Sequence, residues 1–236
     1  MRYVPRMRAF LQALVLVALA PKAFAEAPAR TMITVVTADW DATTGELRRW
    51  DRDGKSWRAV GRPVPVVVGK TGLVPEEKKR EGDGASPAGR FALGDVVGYD
   101  EKTPRGLKLH YHWSQGRVCV DDPGRPAFYN RVVYEAQFDD REPHFEWMRR
   151  EDDLYRYTIF VRHNDARVPG FGSCIFLHVW RDAHSPTVGC TAMALDDLRA
   201  LLAWVEPSTI LVQLPRDEYA RRQREWGLPP LAAQRK

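Results

Sequence analysis

The residues whose types and spacing could do chemistry are His178 and Cys190, in the stretch 171–194. A cysteine nucleophile needs a base that takes its proton and N–H donors that stabilise an oxyanion. The apolar run 175–177 predicts a buried strand that ends at His178, and Gly189-Cys190 is predicted to lie in a turn just before a helix. Such a turn can expose the sulfur and aim backbone N–H groups at the developing charge. We therefore predict His178 as the base, Cys190 as the nucleophile, and the N–H groups of Gly189 and Cys190 as oxyanion donors.

Other roles for these side chains have to be weighed. A free cysteine is commonly only a small buried hydrophobe, although Cys190 stands in a Thr-Val-Gly-Cys-Thr turn and not in an apolar run. His184 is an alternative base, but a loop holds an imidazole less rigidly than a strand end does. Asp182 could orient either imidazole, and a backbone carbonyl would serve equally. Thr187 is the hydroxyl closest in sequence to the nucleophile and is predicted to line the oxyanion hole.

The elements that must position these residues are mostly strands. Runs rich in β-branched and aromatic residues predict about ten short strands, at 32–37, 45–50, 56–60, 64–69, 90–98, 118–120, 131–135, 157–162, 175–177 and 209–214. Helical spacing of apolar residues predicts helices at 142–151, 196–205 and 216–226, and the Gly-rich stretch 72–89 is predicted to be loop. This pattern indicates a mainly β domain with α additions.

The N-terminus has the pattern of a secretory signal peptide over residues 1–25. A basic start precedes an apolar run at 10–20, and Ala23-Phe24-Ala25 is a typical cleavage site. The run is short for a membrane span, so we expect no membrane attachment after cleavage. Removing 25 of the 236 residues leaves 211, enough for one domain. We predict a catalytic domain at 26–214 and a C-terminal helix and tail at 215–236.

The net charge depends on that cleavage. The whole chain has 36 Lys and Arg against 31 Asp and Glu, and four of the cations lie in the signal segment, so the mature chain has 32 against 31. A nucleic-acid partner would require a basic face over the domain. A near-neutral mature chain therefore argues against nucleic-acid binding.

Three cysteines enter an oxidising compartment if the chain is exported. Cys119 and Cys174 both lie in strand-like apolar runs, whereas Cys190 lies in the turn described above. Pairs of thiols close in such compartments, and an odd count leaves one thiol over. We predict that Cys190 is the free one. Cys119 and Cys174 could be bonded or could be two buried thiols, and the sequence leaves both open.

His110 and His112 are spaced to share one face of a strand. Two histidines on a strand can ligate a metal, but a metal site needs a third ligand at a suitable place. We therefore expect surface or groove-lining histidines and no metal ligands.

The motifs around the Cys–His pair resemble those of the YkuD-type L,D-transpeptidases. The family signature is a His at a strand end followed by [Ser/Thr]-His-Gly-Cys, here His178 and Thr187-Val188-Gly189-Cys190. Val188 replaces a second His, as in one branch of the family. That branch also carries a K-x-E-G-D-G-x-[ST]-P-x-G-x-F block, matched from Lys79 to Phe91, and a Val-Asp-Asp segment followed by Tyr-Asn, matched at 120–122 and 129–130. Ala192 stands where members often have Asn or Arg.

The resemblance implies a fold, a substrate and a reaction. The fold would be a mixed-sheet β-sandwich with the catalytic groove at one end. The partners would be peptidoglycan stem peptides, with no metal or cofactor, and the enzyme would be an exported, periplasmic monomer. A cysteine thioester would form with release of a D-amino acid, and a second stem would then be crosslinked. Arg181 could bind a stem-peptide carboxylate or be a surface charge, and Tyr129, Asn130 and Asn164 are groove candidates by resemblance alone.

Two other functions use the same residues differently. A cell-wall carboxypeptidase or endopeptidase would pass the acyl group to water, and a wall-binding domain would not react at all. A binding module can lose its nucleophile, so the presence of both Cys190 and His178 argues against the second alternative.

Overall fold

A computed structural model of the protein describes residues 29–137 and 145–231, so the predicted signal peptide at 1–25 lies outside the described residues. The strands within these ranges are β1 (Thr31–Thr37), β2 (Thr44–Asp53), β3 (Ser56–Val67), β4 (Leu73–Pro75), β5 (Ser86–Gly98), β6 (Tyr111–Trp113), β7 (Arg117–Val120), β8 (Val132–Tyr134), β9 (Phe145–Trp147), β10 (Tyr157–Val161), β11 (Phe176–Val179), β12 (Thr191–Met193) and β13 (Ile210–Pro215). The α-helices are α1 (Leu195–Leu202) and α2 (Arg216–Arg222).

Most of these strands form one mixed sheet. The sheet order is β10-β11-β12-β3-β2-β1-β13-β5-β4, and β6 pairs with β5. β10 also pairs with β5, so the sheet closes on itself and its layers pack around one core. The central strand β1 is a β-branched run in which Met32, Ile33 and Val35 are fully buried, because β1 lies between β2 and β13. The predicted mainly β, mixed-sheet sandwich is confirmed.

A smaller sheet, in the order β8-β7-β9, lies beside the strands that carry the Cys–His pair. A disulfide joins Cys119 of β7 to Cys174, just before β11, and Cys190 is the free thiol among the described cysteines. The prediction for Cys190 is confirmed, and of the two arrangements left open for the other cysteines the bonded one is found.

The two α-helices pack on the main core. Three leucines of α1 are buried, and Tyr219 of α2 is buried with its hydroxyl donating to the carbonyl of Pro229 at 2.9 Å. The segment after α2 is thereby held against the domain. No helix in the described ranges has both the length and the apolar character needed to cross a membrane.

Three expectations about individual elements are wrong. Residues 145–147 of the predicted helix at 142–151 form strand β9, because pairing with β7 satisfies their backbone groups, which outweighs a weak helical preference. The predicted strands at 56–60 and 64–69 are largely one strand, β3, held along β2. The predicted loop at 72–89 contains β4 and the start of β5, which pair with each other in parallel.

Candidate active site

Strands β11 and β12 bring the two predicted catalytic residues to one face of the sheet. These strands are parallel neighbours whose register pairs His178 with Ala192, so Cys190, just before β12, lies opposite Phe176. Alternate residues of a strand point to the same face, so His178 and Phe176 share a face. Cys190 therefore lies diagonally across from His178 on that face. Both side chains are buried.

The Cys190 thiol has two polar neighbours in the backbone. The N–H of Phe176 donates to Sγ at 3.3 Å, and Sγ lies 3.5 Å from the carbonyl oxygen of Cys174. Within the described ranges no hydrogen bond joins Sγ to the His178 ring. Burial, together with the negative charge of Glu146, raises the pKa of Cys190 to about 12. The Cys190 thiol is therefore protonated at neutral pH, and a base would have to take its proton before the sulfur could act as a nucleophile.

The His178 imidazole is fixed in a form that can act as that base. Its Nδ1 lies 2.8 Å from the carbonyl oxygen of Val179. Because a carbonyl only accepts, Nδ1 carries the proton and Nε2 keeps its lone pair. The ring of Tyr155 packs against the imidazole edge-to-face, with centroids 5.2 Å apart. Burial lowers the pKa of His178 to about 4, so the ring is neutral at neutral pH.

The turn before Cys190 is held by hydroxyl groups. Thr187 Oγ1 donates to the carbonyl of Cys190 at 2.6 Å and accepts from the N–H of Gly189 at 3.1 Å. Ser86 Oγ donates to the same Cys190 carbonyl at 2.8 Å. Gly189 has a φ of +154°, and a Cβ there would lie 3.3 Å from the Ala85 carbonyl oxygen, so the turn requires glycine. Thr187 thus ties the turn together.

This geometry changes the predicted oxyanion site. The helix predicted at 196–205 is found as α1, which begins at Leu195, but strand β12 lies between Cys190 and that helix. Pairing with β11 and β3 keeps residues 191–193 extended, so Cys190 does not stand at the N-terminus of α1. The Gly189 N–H donates to Thr187 Oγ1. Within the part of the chain that the structure describes, the Cys190 N–H has no backbone acceptor. Of the two predicted oxyanion donors, the Cys190 N–H is therefore the one that the protein leaves available, and its role with an oxyanion stays a prediction.

Comparison with known proteins places the chain in a family. The sequence model of YkuD, described as the L,D-transpeptidase catalytic domain, matches residues 35–214. The chain belongs to the YkuD family. A search of curated proteins gave no match to this YkuD chain.

Solved structures related to this YkuD domain are distant in sequence. Bd1075 of Bdellovibrio bacteriovorus is 16% identical, with a TM-score of 0.43, over 84% of this chain and 55% of its own. An L,D-transpeptidase from Mycobacterium smegmatis is 14% identical, with a TM-score of 0.34, over 78% and 58% of the two chains. L,D-transpeptidase 1 of Mycobacterium tuberculosis is 12% identical, with a TM-score of 0.32, over 78% and 62%. The YkuD chain thus spans little more than half the length of these structures.

A buried lysine beside the turn 187–190, which we call the nucleophile turn after the predicted role of Cys190, was not assigned a role from the sequence. Lys79 is only 2% exposed, and its Nζ donates to Asp83 Oδ1 at 2.5 Å and to the Arg80 carbonyl at 2.8 Å. Its Nζ would lie 4.0 Å from a Cβ on Gly189, and its positive charge lowers the pKa of Cys190 against the effect of burial. The Lys-x-Glu-Gly-Asp-Gly block was the signal that could have found it.

A carboxyl–phenol pair beside the thiol was also missed. The hydroxyl of Tyr155 donates to the carboxylate of Glu146, and Tyr155 is the residue that packs on His178. Burial raises the pKa of Glu146 to about 7. No sequence signal marked Glu146, because it stands in the charged stretch 142–151, which was predicted to be a short helix over the core.

The loop between His178 and the nucleophile turn contains the alternative base. His184 is exposed, and its backbone N–H donates to Asp182 Oδ1 at 2.7 Å, while Ser185 Oγ donates to Asp182 Oδ2 at 2.7 Å. The Asp182 carboxylate therefore organises its own loop. Arg181 is exposed on the same loop, and its role with a substrate carboxylate stays a prediction.

The three groove candidates carried by resemblance hold loops of the protein itself. Tyr129 is fully buried and its hydroxyl donates to Glu81. Asn130 accepts from the N–H of Cys174 at 3.0 Å, so it fixes the backbone whose carbonyl lies 3.5 Å from Cys190 Sγ. Asn164 donates to the carbonyl of Gly172 at 3.0 Å. Substrate contact by any of them stays a prediction.

Proposed function

We propose that this YkuD domain is a peptidoglycan L,D-transpeptidase that crosslinks stem peptides through a thioester on Cys190. The observation that carries the proposal is the placement of a free thiol and a neutral imidazole on one face of adjacent strands. Hydrogen bonding of Nδ1 to the Val179 carbonyl leaves Nε2 as the proton acceptor.

The donor half of the reaction uses both residues. His178 Nε2 takes the thiol proton, and the sulfur attacks the carbonyl carbon at the L-centre of the diamino acid. The Phe176 N–H at 3.3 Å stabilises the thiolate as it forms, and the Cys190 N–H is placed for the oxyanion. The C–N bond to the terminal D-alanine breaks as His178 returns the proton to the departing amine.

The acceptor half regenerates the enzyme. An amine of a second stem peptide attacks the thioester carbonyl and loses a proton to His178, the new C–N bond forms, and Cys190 leaves as a thiol. No energy-rich cofactor enters either step, because the bond broken and the bond formed are both amides. If water replaces the amine, the same acyl-enzyme gives a carboxypeptidase.

The test is mass spectrometry of the mature protein incubated with a disaccharide-tetrapeptide, beside Cys190→Ala. Loss of D-alanine together with a crosslinked dimer, both absent in the variant, is the expected result, and the fragments identify the bond. Loss of D-alanine with monomer alone would replace the proposal by a carboxypeptidase. An unchanged substrate, with binding retained, would indicate a wall-binding domain.

We propose further that the protein acts as a monomer in the periplasm. The basic and apolar residues at 1–25 and the small-x-small site support export, and the disulfide fits an oxidising compartment. Mass measurement of protein purified from a periplasmic fraction should give a chain that begins at Glu26. A chain retaining Met1 in that fraction would contradict cleavage.

A further inference from the structure

Three metal-binding side chains converge on the outer surface, away from the Cys–His pair. Asp95 Oδ2 lies 2.8 Å from His112 Nε2 and 3.3 Å from His110 Nδ1, and the two imidazole nitrogens are 3.1 Å apart. Asp95 supplies the third ligand that the spacing of the two histidines alone lacked.

The backbone of two paired strands builds this cluster. Asp95 is in β5, His112 is in β6, and His110 stands just before β6. The parallel register pairs Val97 with His112, and the Val96 N–H donates to the carbonyl of His110 at 2.8 Å. The strands therefore hold all three side chains at adjacent positions, so an incoming ligand would not have to order a loop.

Protons alone cannot satisfy the three contacts. A neutral imidazole nitrogen either donates one hydrogen or accepts with one lone pair, and an ionised carboxylate only accepts. If both nitrogens donate to Asp95, the two N–H groups of His110 and His112 face each other. If either nitrogen keeps its lone pair instead, that lone pair faces the Asp95 carboxylate oxygen, which also only accepts. A cation at the centre accepts a lone pair from all three atoms at once.

The spacing fits a transition-metal ion. Three ligands at about 2.0–2.2 Å from a Zn²⁺-like ion, at the angles of tetrahedral or octahedral coordination, stand roughly 3.0–3.4 Å from one another. The observed separations of 2.8–3.3 Å are close to that range. Two imidazoles with one carboxylate favour zinc-type ions over Mg²⁺ or Ca²⁺, which prefer oxygen ligands alone.

We propose that Asp95, His110 and His112 bind one divalent transition-metal ion, such as Zn²⁺, at the β5–β6 edge. The site opens onto a groove of about 620 Å³ that all three side chains line. The His110 and Asp95 side chains are 69% and 54% exposed, so an ion can enter and can keep solvent in its remaining positions.

The ion would lie on the same sheet face as the nucleophile but would not reach it. One cross-strand row joins the two sites, pairing His112 with Val97, Val97 with Thr158, and Thr158 with His178. Neighbouring strands are about 4.8 Å apart, so three steps place His112 roughly 14 Å from His178 along this row. The site is thus independent of the Cys–His chemistry.

The experiment is calorimetric titration of chelator-treated, tag-free mature protein with ZnCl₂. We expect one saturable site per chain, and a visible Co²⁺ spectrum of low coordination number when Co²⁺ replaces Zn²⁺. Asp95→Asn, His112→Gln and His110→Gln should each weaken binding by more than about 10-fold, because even partners outside the ligand shell cost 10–100-fold. MgCl₂ and CaCl₂ should give no comparable heat.

Two control variants separate this site from others in the chain. His184→Gln removes an exposed histidine outside the cluster, and Cys190→Ala removes the free thiol; both should keep full Zn²⁺ binding. Equal thermal stability of all variants without metal would show that they are folded. Saturation only at millimolar Zn²⁺, unchanged binding in the ligand variants, or loss of binding in Cys190→Ala would each overturn the proposal.

Discussion

The backbone N–H of Phe176 donates to the Sγ of Cys190 at 3.3 Å, two residues before His178 on the same strand. One strand thus supplies both a hydrogen bond that favours the thiolate and the imidazole that would create it. The hydrogen bond acts against burial, which raises the pKa of the thiol to about 12. The reactivity of the Cys190 thiol therefore depends on the charged and hydrogen-bonding groups around strand β11.

The negative charge of Glu146 opposes formation of the Cys190 thiolate. Burial raises the pKa of Cys190 most, and the negative charge of Glu146 raises it further. Glu146→Gln should therefore lower the pKa of Cys190. Alkylation of the free enzyme should become several-fold faster above pH 7, where the Glu146 carboxyl is ionised. Iodoacetamide rates measured from pH 6 to 10 check this. Glu151→Gln, at an exposed acid nearby, is the matched control and should not change the rate. Equal rates in wild type and Glu146→Gln would remove Glu146 from the site.

The pH dependence of the free energy of unfolding should show that His178 is buried with a neutral imidazole. Its folded-state pKa of about 4 lies below the unfolded value of about 6.5, so between these values the unfolded chain binds more protons. The free energy of unfolding should therefore fall as pH decreases from 6.5 to 4, by about 2–3 kcal/mol from this group. Urea titrations of wild type and His178→Asn check the difference, because Asn does not titrate. Parallel pH profiles for the two proteins would contradict a depressed pKa.

The disulfide should matter for both stability and geometry. Cys119→Ala/Cys174→Ala should lower the free energy of unfolding by about 2–5 kcal/mol, since the bond closes a loop of 55 residues. The Cys174 carbonyl lies 3.5 Å from Cys190 Sγ, so turnover should fall as well. Unfolded, unreduced wild type should show one reactive thiol. Three reactive thiols would rule out the disulfide.

Thr187 should act by holding the nucleophile turn. Thr187→Val removes the hydroxyl that donates to the Cys190 carbonyl and accepts from Gly189, so kcat should fall by about 10-fold or more while KM changes little. Thr187→Ser keeps the hydroxyl and should restore most of the rate. Steady-state kinetics of D-alanine release provide the measurement. An active Thr187→Val enzyme would show that Ser86, which shares the carbonyl, suffices.

The sequence by itself determined the mainly β class and most strands, and it predicted His178 and Cys190 as the catalytic pair. β-branched runs such as 32–37 and 157–162 strongly favour strands. The motif that contains the Cys–His pair is defined by spacing along the chain, so it can be recognised before the fold is known. It also singled out Cys190 as the free thiol, because its turn differs from the apolar runs around Cys119 and Cys174.

The tertiary structure alone decided which residues meet across the sheet. Residues 191–193 form strand β12 through pairing with β11 and β3, which a local pattern does not encode. The approach of Glu146 to the thiol and the meeting of Asp95 with His110 and His112 both depend on strand register. Hydrogen bonding between strands fixes such contacts only when the whole sheet has formed.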